Sequence, residues 1–518
     1  MKICILAAGK GTRMGPICKN INKSLLPINN KAIISHIIEK FSKTDSFVIG
    51  LGYRAEQVKS YLKAAHSDKK FEFVKIKNFD GKGSGPGLSL LSCRSHLNEP
   101  FIFLPCDCIF SDKLENLPNE NWIGVSRVMV NESDQYCNVA IKNKRVIDIR
   151  DKIKSGKDHY AFTGLLFVKN YKEFWNGLKK NVMIKKEHQV SNGLVELMKG
   201  SGLHTKKIKW NDIGDLKKYK EIQNKFDSKS IAKTNEFIYF INNKVIKFFS
   251  DEKIVEKRVK KTKVKPKIFP SVERCGKNFY WYQLWNGRPL YSCVTPALFK
   301  KLLNWLDKKV WTNVNLDSTT IENLCKDFYY KKTMSRISLF KKENPNFKFP
   351  KIVNGKSIPP LEKLLDQIPW SRLFTGIPSF IHGDLQFQNI LYSRKLDEFL
   401  LIDWRQDFAG NIEVGDLYYD LAKLYGGIIM NYDYIMKDLY NFHHNGNKVR
   451  VNLTKWKNDD NYQKILDDYI KQKNLDFKKI RLLVGLIYIN MAALHHSPFN
   501  FALICLGSSI ISDVLNEK

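Results

Sequence analysis

The first 225 residues alternate short apolar, β-branched runs with stretches whose apolar positions recur every three or four residues. The short runs KICILAA, SFVIGLG, FEFVKI, FIFLPCD, IGVSRVMV, NVAIK and FTGLLFV predict strands. AIISHIIEKFSK, RAEQVKSYLKAA and SNGLVELMKG carry the helical period. Strand–helix alternation of this kind predicts an α/β layered domain with a mostly parallel sheet, whose ligand sits at the carboxyl ends of the strands. The pattern changes after DIGDLKKYKEIQNKF. DSKSIAKTN, 227–235, is short and polar and reads as a linker. EFIYFINNKVIKFFS then predicts a β-hairpin turning at INNK. A charged helix, DEKIVEKRVKKT, follows, then NFYWYQLWNGRPL and a long, mostly helical remainder. The expected domains are 1–226 and 236–518.

Composition changes this picture little. A chain of 518 residues with 43% hydrophobic content holds more than one core and is not a disordered chain. Ten cysteines are scattered, and the Cys106–Cys108 pair has no partner pair at zinc-ribbon spacing. They read as reduced thiols in a cytoplasmic enzyme. The formal charge of +34 comes from lysines spread along the whole chain, densest at 256–267. No aromatic-interleaved basic motif accompanies them, so a nucleic-acid partner is not expected. No run reaches the ~18 apolar residues that span a bilayer. FALICLGSSIISDVL, 501–515, reads as a buried helix, and no secretory leader is expected at the N-terminus.

The candidate chemistry falls at two places. ILAAGKGTRMG puts a Gly-rich loop directly after a buried strand. Gly9, Gly11 and Gly15 let backbone approach a ligand closely, and Arg13 and Lys23 bring positive charge. Far downstream, IHGDLQFQNIL and LLIDWRQDF set two apolar-flanked Asp motifs around an Asn, a pattern suited to metal and phosphate chemistry. The His443–His444 and His495–His496 pairs are set aside as metal ligands, because adjacent residues cannot share one helical face.

The N-terminal motifs resemble the nucleotidyltransferases that make NDP-sugars and CDP-alcohols. L-A-A-G-x-G-T-R-M is followed by K-x-L-L-P at the family's distance, GYRAEQVKSYL is similar to its next helix, and the likeness spans nearly all of the first 225 residues. The resemblance implies a Rossmann-like mixed sheet with Ala8, Gly9 and Gly11 on the nucleotide and Arg13 and Lys23 as catalytic cations. It makes Asp107 (in FLPCDCIF) and Asp212 (in WNDIGD) ligands of Mg²⁺. FDGKGSGPGLSLL, 79–91, would border base and ribose, and Lys152 is either a contact to the acceptor phosphate or an exposed lysine. HGDLQFQN and LIDW resemble the catalytic loop and metal-binding motif of aminoglycoside phosphotransferase and choline kinase relatives, a likeness covering 235–515. It implies an α+β, two-lobed fold. Asp384 would act on an acceptor hydroxyl, Asn389 and Asp403 would hold Mg²⁺, and His382 and Asp420 would brace the fold. Lys247 would reach the ATP phosphates, paired by Glu256 or Glu252. The expected function is a bifunctional kinase and nucleotidyltransferase acting on a sugar or amino alcohol for surface glycan or lipid synthesis. Its substrates would be ATP and a second NTP, CTP or UTP ahead of GTP. The alternatives are a chain in which one half only binds, or a basic nucleic-acid-binding protein.

Overall fold

The computed structural model describes residues 1–112, 114, 119–180, 182–226 and 235–517. The expected linker, 227–235, lies outside the described residues apart from Asn235. The described chain forms two compact units, Met1–Glu252 with Glu273–Gln283, and Lys253–Val272 with Leu284–Lys518.

All seven strands expected in the first unit form: β1 Lys2–Ala7, β2 Ser46–Leu51, β3 Lys70–Lys75, β4 Phe101–Pro105, β6 Trp122–Ser126, β7 Cys137–Lys142 and β9 His159–Val168. They are joined by β5 Cys108–Phe110, β8 Arg145–Asp151, β10 His204–Lys207 and β11 Trp210–Asp212. Nine of these make one sheet in the order β3-β2-β1-β4-β9-β6-β10-β8-β7, and β5 and β11 form a separate two-stranded ribbon. The sheet is mixed. β3, β2, β1 and β4 run parallel, but β9 enters antiparallel beside β4 and again beside β6 and β7. The expectation of a mostly parallel sheet therefore holds for only one side. The other side carries β7 and β8, adjacent in sequence and joined by a tight turn at Asn143–Lys144, both at positive φ. A turn of that kind makes an antiparallel pair and no helical crossover.

Helices α1 Ile33–Ile38 and α2 Ala55–Ala65 share one core with the inner strands, and α4 Tyr171–Lys179 and α5 Ser191–Lys199 share the other. α3 Pro86–Ser92 and α6 Leu216–Lys225 complete the set that frames the site below.

The hairpin forms as expected. β12 Glu236–Ile241 and β13 Lys244–Phe249 turn through Asn242 and Asn243, both at positive φ, which suits a tight two-residue hairpin and an Asn pair. With β14 Glu273–Cys275 and β15 Phe279–Gln283 they make a four-stranded sheet, order β12-β13-β15-β14. The sequence opens a second domain at 236, whereas the contacts group these strands with the first unit. The physical reason lies in α2. Val58, Tyr61 and Leu62 on α2 share one core with Phe237, Tyr239, Phe248 and Phe279. The Tyr61 and Tyr239 rings meet edge-on at 4.9 Å, and Tyr239 donates to the carbonyl of Leu25 at 2.7 Å. Each such side chain contributes about 1.5–3 kcal/mol by leaving water.

The second unit is mostly helical after a short β-structure. The HGDLQFQN motif runs from a loop at 381–386 into a single turn, Phe387–Asn389, and then the strand pair β16 Ile390–Ser393 and β17 Glu398–Leu401. Helix α7 Lys332–Glu343 follows a π-helical turn, Lys326–Lys331, and α8 Leu417–Ile429 carries the D-L-A motif. Two long apolar helices, α9 Phe477–Ala492 and α10 Phe499–Asn516, pack on each other. α10 is long and apolar enough to cross a membrane by length and composition, although polar residues such as Ser508 and Asp513 interrupt its apolar run. Most of that stretch is nonetheless buried inside the unit, as expected of a core helix.

Gly485 and Gly507 set the α9–α10 distance. A Cβ on Gly507 would fall 2.6 Å from the carbonyl oxygen of Gly485, and one on Gly485 would fall 2.9 Å from that of Gly507. Because backbone opposes backbone, no rotamer change relieves the overlap. Gly507→Val is expected to destabilise this unit by about 1–3 kcal/mol, as overpacking does, read as a lower urea midpoint in fluorescence-monitored unfolding; an unchanged midpoint would show that the helices can part freely.

Candidate functional sites

The N-terminal site starts from the loop after β1. Gly11 adopts the left-handed conformation, φ 66° and ψ 39°, which glycine takes without steric cost. A Cβ at Gly11 would crowd the Cβ of Lys23 and the sulfur of Cys18, both at 3.2 Å. Glycine thus lets the loop close over the lysine turn. Met14, Ile17 and Cys18 are buried and anchor the 3₁₀ segment Thr12–Cys18, while Arg13 is exposed. Asn22, which the motif reading passed over, fixes the next turn. Its Nδ2 donates to the carbonyls of Ala7 at 2.9 Å and Tyr53 at 2.7 Å, and its Oδ1 accepts from the amide of Ser24 at 2.9 Å. The signal for it was an N-cap residue directly before the family lysine.

Lys23 is buried, and its Nζ donates to Asp107 Oδ2 at 3.0 Å and to the Gly214 carbonyl at 3.2 Å. Burial works to raise the Asp107 pKa, but the Lys23 ammonium, helped by Arg13, overcomes it and holds the carboxyl below its usual value. Asp107 lies at the bend between β4 and β5. The ribbon sets Asp212 across from Cys108, and the Ile213 amide donates to the Asp107 carbonyl at 2.8 Å. Asp212 has its own lysine. Lys218, on α6, donates from Nζ to Asp212 Oδ2 and to the Tyr136 hydroxyl, each at 2.6 Å, and Tyr136 donates to the same Oδ2 at 2.8 Å. Burial acts to lower the Lys218 pKa, yet these partners outweigh it and raise it, and burial pushes Tyr136 up to about 12.

Two cavities meet at Asp107. A cleft of about 590 Å³ is lined by Ala8–Arg13, Lys23, Asp107 and the 79–86 loop. A second cavity, of about 230 Å³, shares Arg13 and Asp107 with it and continues to Tyr136, Lys152, Trp210 and Asp212. Lys152 is half-buried there, at φ 55°, and its Nζ pairs with Glu187 at 2.8 Å. A nucleotide-sized space and an acceptor-sized space thus open on one carboxylate. Magnesium fits this arrangement. No group of three or more His, Cys, Asp or Glu converges among the described residues, and Mg²⁺ bound with phosphates needs only one or two carboxylates. Asp107 and Asp212 both use Oδ2 for their lysines, which leaves Oδ1 outside the ion pairs.

The second unit builds its site around Asp384. Asp420, buried on α8, accepts the amides of His382 and Gly383, each at 2.7 Å, and the Trp311 indole N–H at 3.2 Å. These bonds fix the loop backbone, and Gly383 supplies φ 83°. His382 is fully buried. Its Nδ1 accepts from the Asp384 amide at 3.2 Å, so Nε2 carries the hydrogen and donates to the Ile402 carbonyl at 2.9 Å. Burial pulls its pKa down to about 3, so it is a neutral brace at pH 7. Asn389 turns its Nδ2 to the carbonyl and Oδ2 of Asp384 at 2.9 and 3.2 Å, leaving its amide oxygen as an acceptor. The Ile402 amide bonds the Asn389 carbonyl at 2.9 Å and so ties Asp403, at φ 58°, to the same place. Arg258 Nη1 lies 3.8 Å from Asp403 Oδ1. An amide oxygen and a carboxylate held side by side suit an oxygen-seeking cation such as Mg²⁺.

Sequence reading missed Lys423. Buried on α8, it pairs with Asp384 Oδ1 at 2.7 Å. Burial would raise the Asp384 pKa, but Lys423 drives it well below the usual carboxylate range. Lys247 is buried on β13. Glu256 pairs with Lys260 one turn along its helix at 2.7 Å, and Glu252 lies 3.6 Å from Lys277. His443 and His444 lie on a strand, Tyr440–Asn445, where neighbours point to opposite faces, and His495 Nε2 bonds the Tyr432 hydroxyl at 2.9 Å.

The Lys23–Asp107 pair carries a pH signature. Because Asp107 is held below its unfolded-state pKa, the pair stabilises the fold above pH ~4 and loses that stabilisation as pH falls through the folded value. Lys23→Met is expected to cost about 1–3 kcal/mol near pH 7, discounted for the partial exposure of Asp107. The cost should shrink as pH falls from ~4 through the folded value, where the carboxyl takes up its proton. Urea unfolding of both proteins across pH 3–8 measures this, and a cost independent of pH would break the assignment.

Residues 3–120 match the MobA-like NTP transferase domain. The chain is 27% identical over 222 residues to the bifunctional protein GlmU of Methanococcus aeolicus, covering 41% of this chain and 51% of that protein. It is 30% identical over 223 residues to GlmU of Methanococcus vannielii, covering 41% and 52%. It is 28% identical over 158 residues to the D-glycero-alpha-D-manno-heptose 1-phosphate guanylyltransferase of Campylobacter jejuni, covering 30% and 69%. The chain spans about half the length of the GlmU relatives it matches. The first unit of the chain therefore contains an NTP-transferase domain of the MobA-like and GlmU-like kind.

Proposed function

We propose that the chain is a bifunctional enzyme, an N-terminal nucleotidyltransferase and a C-terminal ATP-dependent phosphotransferase. The observation that carries the first half is the meeting of two cavities at Asp107, with Arg13 and Lys23 at the junction. An NTP in the larger cleft would place its α-phosphorus where the acceptor phosphate arrives from the smaller one. The acceptor oxygen bonds to that phosphorus as pyrophosphate leaves, so the chain need supply no covalent nucleophile. Lys23 and Arg13 neutralise the charge gathered on phosphate oxygens. Magnesium on Asp107 and Asp212 would supply further neutralisation of the triphosphate. Relatives named for a heptose 1-phosphate and for glucose 1-phosphate favour a sugar 1-phosphate as acceptor over a phospho-alcohol. The 79–86 loop, which lines the cleft opposite the Gly-rich loop, is where base choice would be made.

The second half rests on Asp384, Asn389 and Asp403 standing together with the bracing of His382 and Asp420. Asp384 would orient the acceptor hydroxyl. With Lys423 holding it ionised, it is a weak base, which suits a loose transition state that needs positioning more than early deprotonation. Asn389 and Asp403 would hold magnesium on the ATP phosphates.

A mass-spectrometric screen tests both halves. Protein, Mg²⁺ and ATP are supplied with sugars and amino alcohols, free or as phosphates, and with CTP, UTP or GTP. Asp384→Asn is expected to lower phosphorylation at least about a hundredfold and to spare nucleotidyl transfer, and Asp107→Asn to do the reverse. Loss of both activities from either single change would rule out two independent sites.

A further inference from the structure

Lys332 and Arg405 stand near Asp384, and Arg336 near Arg405, with no carboxylate of their own among the described residues. Lys332 opens α7 directly after the π-helical turn Lys326–Lys331, Arg336 follows one turn on, and Arg405 lies two residues beyond Asp403. The Lys332 ammonium is 3.9 Å from the centre of the Phe328 ring and 5.6 Å from that of Tyr419, and the Arg405 guanidinium carbon is 4.8 Å from the same Phe328 ring. Two cations therefore share one aromatic face system beside the loop. Gly383 makes room for Arg405, since a Cβ there would fall 2.7 Å from the Arg405 Cβ. Arg405 Nε is buried without a hydrogen-bond partner among the described residues, and none of the three cations forms an ion pair among those residues. Lys423 completes the group.

These four cations outnumber the carboxylates beside them, Asp384, Asp403 and the buried Asp420, and leave an excess of positive charge in a half-buried place. Burial and then the neighbouring Arg405, Lys423 and Arg336 push the Lys332 pKa well down, a direct sign of the crowding. Aromatic rings relieve part of the cost, but a guanidinium with its buried Nε unsatisfied is an arrangement suited to an incoming anion. ATP accounts for only part of the excess, because Asn389 and Asp403 already serve its phosphates through magnesium. Helix α7 carries no proposed metal ligand, yet it brings Lys332 towards Asp384, the group that must face the acceptor.

We infer that the phosphoryl acceptor of the C-terminal site carries an anionic group, phosphate or carboxylate, beside the hydroxyl that is phosphorylated, and that Lys332, Arg336 and Arg405 hold it. This rests on the phosphotransferase reading. In the step, the hydroxyl oxygen bonds to the γ-phosphorus, the bond to the β,γ-bridging oxygen breaks, ADP leaves, and the hydroxyl proton passes by way of Asp384 to solvent. A quaternary ammonium acceptor would meet repulsion at this place.

The test uses the full chain with four probes: glycerol 3-phosphate, glycerate, glycerol and choline. Binding is followed by calorimetric titration and phosphoryl transfer from ATP by mass spectrometry. One or both anions should bind at least tenfold more tightly than glycerol, and which of them does so separates a phosphate site from a carboxylate site. Lys332→Met/Arg336→Met should weaken that binding roughly tenfold or more, and Lys332→Arg should restore most of it. Thermal unfolding of the double variant should be unchanged or shifted upward, because it removes uncompensated charge. Transfer to glycerol or choline as good as transfer to either anion, or anion binding indifferent to the double variant, would overturn the inference. Variant-sensitive anion binding without phosphoryl transfer to any acceptor in the earlier screen would instead overturn the phosphotransferase reading and leave an anion-binding module.

Discussion

A carboxylate near phosphates needs a cation to stay charged, and the structure meets that need three times in one way. Asp107 has Lys23, Asp212 has Lys218 and Asp384 has Lys423, with N···O separations of 3.0, 2.6 and 2.7 Å. Partial burial alone would favour the protonated acids. The lysines reverse this for Asp107 and Asp384 and hold both in the ionised form. Each lysine comes from an element separate from its carboxylate, so each pair also fixes where two elements meet.

The pairs have a cost that the surroundings offset. A lysine drawn out of water must be hydrogen-bonded on its remaining protons. Lys23 reaches the Gly214 carbonyl and Lys218 the Tyr136 hydroxyl. The second unit adds a different device, in which a buried carboxylate, Asp420, holds the loop through two backbone amides. Asp384 is thereby positioned by main chain while its charge is set by a side chain. A metal arriving at Asp107 or Asp212 would meet a carboxylate already shared with a lysine, so binding it requires redistribution of charge and not only vacant oxygens.

Much of this was legible in sequence where it depended on local spacing. The Gly-rich loop, the lysine turn and the two Asp motifs are short stretches whose chemistry is set within about ten residues. The Asn-Asn hairpin was legible for the same reason, since two residues at positive φ define the turn. What escaped was tertiary. Lys423 lies 39 positions beyond Asp384 and reads as an ordinary helical lysine until the helix folds back. Tyr136 meets Asp212 from 76 positions upstream, and Lys218, only six positions on, reads as an ordinary helical lysine until the ribbon turns Asp212 towards it. The resemblance implied a mixed sheet, but its strands β8 and β10 escaped the pattern reading, β10 because its four residues, HTKK, carry no apolar alternation. α10 shows the converse, since its composition passes for a membrane span and its burial in the second unit, close against α9 at Gly485 and Gly507, accounts for its apolar character.

The four-stranded sheet that leans on α2 bears on whether this chain could come apart. Its strands are separated in sequence by residues of the second unit, so no single cut frees the first unit whole. Ending the chain at 226 would strip the cover from Val58 and Tyr61 and bare an apolar face. A chain split at that point would leave apolar surface on both pieces, on α2 and on the four-stranded sheet, so folding itself opposes the split.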